Sequence, residues 1–145
     1  MDTCPTEGAR PFSGVSDGRN EQESRLIPIL ALLTTHFVAD FVLQTDWMAQ
    51  NKSKRWDALA LHVAVYTLAF LPVTLWVFGN TPSGAQFLVL TFVLHFATDA
   101  ITSRINSRLW AAKRVHAFFV GIGADQLSHA YALAFAFWFV TNAVR

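Results

Sequence analysis

Histidine and aspartate recur four residues apart inside apolar stretches of this chain: in His36-Phe37-Val38-Ala39-Asp40, in His95-Phe96-Ala97-Thr98-Asp99, and in reverse order at Asp125 and His129. On a helix that spacing puts both side chains on one face, one turn apart. His62 stands at the same interval from Tyr66. Imidazole nitrogens and carboxylate oxygens suit zinc, manganese or iron, and helical bundles hold such ions with side chains from facing helices. His36, Asp40, His62, His95, Asp99, Asp125 and His129 are therefore the expected ligands of a divalent metal, or the groups that orient those ligands. They exceed the four donors of one tetrahedral zinc, which implies either two ions or carboxylates that hold histidine ligands in place. Such an ion supplies hydrolytic chemistry toward phosphoesters or amides near neutral pH. Gln44, Tyr66 and Gln126 offer hydrogen bonds beside these groups, and His116, in a basic loop, reads as interfacial.

The segments that must position them are apolar and long. Of the 145 residues 53% are hydrophobic and only 14% charged, against about a quarter charged in ordinary soluble domains. The expected class is an all-α integral membrane protein, a four-helix bundle whose domain covers residues 26–145. Its spans run from Leu26 to Gln44, Ala58 to Phe78, Ala85 to Ser103 and Phe118 to Val140. At about 1.5 Å per residue such lengths cross a hydrocarbon layer of about 30 Å. Pro72 is expected to kink the second span, and Gly79-Asn80-Thr81-Pro82-Ser83-Gly84 to end it. Residues 1–25 are polar and read as a disordered leader rather than a signal peptide, because acidic Asp2, Glu7 and Asp17 stand where a signal would be basic. The lone Cys4 excludes a disulfide within the chain.

Basic residues set the orientation. Lys52, Lys54 and Arg55 follow the first span, and Arg104, Arg108, Lys113 and Arg114 follow the third. Both loops then face the cytoplasm and both termini the outside. Trp47, Trp56 and Trp110 flank the basic loops, while Trp76 and Trp138 mark the opposite boundary. The stretch from Arg104 to His116 reads as a connecting loop or a short interfacial helix. The basic loops suit anionic lipid headgroups, no tract suits nucleic acid, and self-association into a homo-oligomer stays open.

Counted from the cytoplasmic ends, all the His and Asp groups fall at similar depth, so they can converge. An aspartate near the centre of a membrane helix costs about 2.5–3.5 kcal/mol, whereas an interhelical hydrogen bond returns only about 0.6 kcal/mol. Helix gluing alone is a poor return. The two His-Phe-x-x-Asp copies enter from the same side, which suggests two helical hairpins in parallel pseudo-repeat.

The order of His36, Asp40, Gln44-Thr45-Asp46-Trp47-Met48-Ala49, His62, Tyr66, His95, Asp99, Asp125-Gln126 and His129 resembles the bacterial membrane-protein family catalogued as domain of unknown function thirty-three-zero-seven. The resemblance covers about Leu26 to Val140 and implies a small multi-pass protein of the bacterial inner membrane, with no assigned reaction. A looser similarity, in the style of His/Asp-bearing spans, links it to membrane-bound metal-dependent hydrolases. The leading expectation is a membrane-embedded metal site serving a hydrolase. The alternatives are a proton or metal-ion relay, and a non-catalytic assembly partner whose polar turns only set helix packing.

Overall fold

The computed structural model describes residues 14–143, with side chains from 26 to 142. Helix α1 runs Gly14–Phe37 and continues into a π-helical turn, Val38–Val42. The turn is closed by the Leu43 N–H donating to the Val38 carbonyl at 2.9 Å. The backbone is thus already helical ahead of Leu26, within the stretch expected to be a disordered leader. The remainder of that stretch, with Cys4, lies outside the described residues.

The chain bends after the π-turn, and Thr45 restarts it. Its Oγ1 accepts the Met48 N–H at 3.3 Å, capping the short helix α2, Asp46–Asn51. Helix α3 is Trp56–Ala69 and α4 is Leu71–Phe78, with a break at Phe70. Pro72 explains the break, since it has no N–H for the Leu68 carbonyl and its ring crowds the preceding turn. Gly79 ends α4 at φ 65°, a left-handed backbone that favours glycine. Thr81 caps the next helix by accepting the Gly84 N–H at 3.3 Å, with Pro82 in its first turn.

Helix α5 extends Pro82–Ala111 and α6 Val115–Ala143. The expected loop or interfacial helix from Arg104 is thus a continuation of α5. No Gly or Pro interrupts it, and polar side chains alone do not end a helix. The connection to α6 is three residues, Ala112 to Arg114, with Lys113 at φ 56°. Its N–H bonds the Trp110 carbonyl at 2.9 Å and the Arg114 N–H bonds the Leu109 carbonyl at 3.0 Å, the Schellman arrangement that usually places glycine where Lys113 stands. A non-glycine residue there costs about 1 kcal/mol. Lys113→Gly is expected to raise stability by about that amount, read as a higher thermal midpoint in detergent; a lowered midpoint would contradict the assignment of strain.

Helix α5 packs along α6 and against α3 and α4, while α1 touches α4 and α6. Their interior divides into two parts. Leu32, Tyr66, Phe70, Val73, Phe87, Leu133, Ala136 and Val140 form an apolar core. Beside it, toward the α5–α6 connection, lie the buried His and Asp side chains.

Among the described residues two stretches are long and apolar enough to cross a membrane, Trp56–Phe78 and Pro82–Ala111. Leu26–Val42 is apolar but shorter. In α6 the polar residues Asp125, Gln126 and His129 interrupt the apolar run.

Candidate metal centre

Six of the candidate ligands come from four helical segments. Asp40 comes from the π-turn, His62 from α3, His95 and Asp99 from α5, and Asp125 and His129 from α6. All six, and His36 at the end of α1, are buried. The middle of the cluster is the His62 Nε2 atom. It lies 3.1 Å from Asp40 Oδ1, 3.2 Å from Asp99 Oδ2 and 3.2 Å from His95 Nε2. His95 Nε2 in turn lies 3.6 Å from both of those carboxylate oxygens. One imidazole N–H can satisfy one such neighbour, not three.

A cation at their centre would satisfy them together. With bonds of about 2.0–2.1 Å to nitrogen and oxygen, a tetrahedral ion separates its ligands by about 3.3 Å, and five of the six spacings here run from 3.1 to 3.6 Å. The donor atoms of Asp40, His62, His95 and Asp99 all lie within 4.8 Å of one another, and so, separately, do those of Asp40, Asp125 and His129. Both groups can hold a metal ion. In the second, His129 Nε2 and Asp125 Oδ1 lie 3.4 Å apart, and each is buried without a hydrogen-bond partner. Such a loss is costly unless another ligand supplies the contact.

Asp99 links the groups. Its Oδ2 faces His62 and His95 and accepts a hydrogen bond from the Lys52 ammonium at 2.9 Å, while Oδ1 lies 3.6 Å from His129 Nε2. Gln126 joins them on the other side, its amide donating to Asp40 Oδ2 at 3.0 Å and to Asp125 Oδ2 at 3.1 Å. The same side chain's Oε1 pairs with His36 Nε2 at 3.1 Å. His36 Nδ1 pairs with the Tyr66 hydroxyl at 2.9 Å. His36 is therefore occupied on both nitrogens, beside the donor groups rather than inside them.

Stacking holds the rings where hydrogen bonds do not. The His95 ring lies between Tyr66, at 3.7 Å between centroids, and His129, at 4.2 Å, each tilted by 23°. The Nδ1 atoms of His62 and His95 have no hydrogen-bond partner in the protein. Packing orients the His95 imidazole.

A cavity of about 620 Å³ opens onto the cluster, with Asp40, Asp99, Asp125, Gln44 and Gln126 in its wall. The Oε1 atom of Gln44 is buried and unpartnered there. Sequence reasoning treated Lys52 as a marker of topology, and its ion pair with Asp99 crosses 47 positions of the chain, so no local pattern carries it. Among the described residues the cavity's cations are Lys52 and Lys54. The second basic set does not line it; the Arg104 guanidinium instead lies over the Trp56 ring at 4.1 Å. His116 is exposed and apart from the cluster.

Fold and site together define an all-helical protein that buries a His/Asp cluster able to hold a metal ion. Residues 29–145 match the model of the family described as Protein of unknown function (DUF3307), and the chain belongs to that family. No curated protein and no solved structure matches it.

Proposed function

We propose that this chain is a multi-pass protein of the bacterial inner membrane, a bundle of four spans in two hairpins, with both termini outside. In this reading its His/Asp cluster binds a divalent metal ion near the cytoplasmic face, and the ion serves a hydrolase acting on a membrane-proximal substrate. The observation that carries the metal reading is the set of spacings around His62 Nε2, which one shared proton cannot explain and one tetrahedral ion can. Asp40, His62, His95 and Asp99 would hold the ion, Asp125 and His129 would offer an adjoining position, and His36 would orient the group through Gln126.

The distribution of polarity supports the membrane setting. Ile27, Leu30, Phe41, Leu68, Val93, Ile101, Leu127 and Phe135 are among many large apolar side chains that face outward, while the interior holds the carboxylates and imidazoles. A soluble protein has the reverse pattern and rarely exposes such continuous apolar surface. Only 39% and 28% of the apolar windows of Trp56–Phe78 and Pro82–Ala111 are buried, which argues against their being core helices of a soluble domain. All five tryptophans are exposed as well, as residues at a lipid boundary should be.

An ion or proton path is less well supported. Beyond the cluster the interior is Phe70, Val73, Phe78, Phe87, Phe137 and Val140, with Thr74 and Thr91 as its buried polar side chains. A charged relay would need ionisable groups along that half.

The deciding measurement is elemental analysis of protein purified in detergent without chelator and offered zinc, manganese and iron in turn, beside His62→Ala/His95→Ala of matched helicity. The expected result is a stoichiometric ion in the wild type, lost in the double variant. A wild type that binds none of the three removes the metalloenzyme reading and leaves a polar packing network.

A further inference from the structure

The cavity at the cluster is lined by two unlike sets of side chains, and they specify a ligand more narrowly than the cluster does. Lys52 and Lys54, on the segment between α2 and α3, line it together with Asp40 and Asp99. Trp110 of α5 and Phe118, Phe119 and Ile122 of α6 add large apolar side chains to the same lining. Trp110 and Phe119 are 60% and 64% exposed, so this apolar lining continues onto the outer apolar surface. At about 620 Å³ the cavity is within the usual range for a small-molecule site, about 300–1,000 Å³. It accommodates a headgroup and leaves longer apolar portions to run out along Phe118 and Phe119.

We infer that this cavity binds a phosphate ester bearing an apolar tail, with its phosphate between the metal position and the Lys52 and Lys54 ammonium groups and its tail along the Trp110, Phe118, Phe119 and Ile122 wall. The substrate class rests on the metal reading above. Charge ties the two together: the lining carries three carboxylates against two ammonium groups, and a divalent ion would reverse that balance in favour of an anion. Lysine serves phosphate as a compact point charge. Hydrolysis of such an ester adds one water across the P–O bond. The new P–O bond forms as the bond to the leaving oxygen breaks, one water proton passes to that oxygen, and the other stays with the phosphate or is released.

The test uses full-length protein in neutral detergent, its ion content measured on the same sample. Binding is read by calorimetry with a non-hydrolysable phosphonate carrying two short acyl chains, with methylphosphonate, and with the matching uncharged diacylglycerol. The ion-loaded wild type is expected to hold the tailed phosphonate about a hundredfold more tightly than methylphosphonate. Lys54→Gln should weaken both phosphonates about tenfold, and Phe119→Ser should weaken the tailed one alone. Both positions are exposed, so neither change threatens folding. Ion-loaded protein that ignores the tailed phosphonate, or treats it and methylphosphonate alike, overturns the inference and leaves the metal site standing. Equal binding of the tailed phosphonate and the uncharged diacylglycerol overturns it too. Protein that takes up no ion yet binds the tailed phosphonate in a Lys54-dependent way overturns the metal reading and keeps the cavity assignment; neither ion nor phosphonate bound overturns both.

Discussion

Asp99→Ala is expected to cost about 3–5 kcal/mol of folding stability, toward the lower end of that range, and to abolish ion binding. The carboxylate is almost completely buried and lies against Lys52, His62, His95 and His129. Without it the Lys52 ammonium loses its direct ion-pair partner and is left with the more distant Asp40 carboxylate to offset it. The penalty is moderated because the Lys52 side chain keeps 15% exposure and can turn out into the cavity, where water reaches it. The double change Asp99→Ala/Lys52→Met should therefore recover part of the lost stability, since it removes both charges and not one. It should not recover the ion. Unfolding midpoints of the three variants, with ion content beside them, test the account. An Asp99→Ala protein as stable as the wild type and still carrying metal would sink it.

Tyr66→Ala should be nearly as damaging, for a reason of shape. Tyr66 is fully buried, stacks on His95 and meets Phe70 at a tilt, and truncation of an aromatic in such a place costs about 3–5 kcal/mol. The empty space would lie directly under the His95 ring. An imidazole held by packing instead of by a hydrogen bond then loses its orientation, and metal affinity should fall about 10- to 100-fold, as it does when a supporting group of a ligand is removed. Tyr66→Phe separates the two roles. It keeps the stack and leaves His36 Nδ1 without its hydroxyl partner, at about 1–3 kcal/mol, with metal affinity little changed. Chelator competition with a metal-sensitive dye measures the affinities; equal loss of metal in both variants would show that the hydroxyl, not the stack, matters.

Much of this molecule was legible because its signals are local. Four-residue spacing marked His95 and Asp99 as one face of a helix, Pro72 marked the break before α4, and Gly79 marked its end. Hydropathy read less well where charge and helix coexist. Arg104 and Arg108 read as a connecting loop or a short interfacial helix, yet nothing at those positions stops α5. In α6 the residues that build the site, Asp125, Gln126 and His129, are the ones that dilute its apolar run. Matched depth implied that the His and Asp groups converge, but which distant side chains pair left no trace. The Lys52–Asp99 pair and the bridging by Gln126 exist only once the helices are packed. The His36–Asp40 copy misled in another way: its spacing matches His95–Asp99, but nothing in Val38-Ala39-Asp40-Phe41-Val42 announces a π-turn.

That turn gives the first copy a different angular phase from the second. An α-helix rotates about 100° per residue and a π-turn less, so the step from His36 to Asp40 accumulates less rotation than the step from His95 to Asp99. The second pair stays in register, with Nε2 and Oδ2 3.6 Å apart, whereas the first is divided between Tyr66 with Gln126 and His62 with Gln126. One sequence pattern thus does two jobs, set by how tightly the backbone is wound and not by which residues it carries. The site is specified by a length of chain as well as by its side chains.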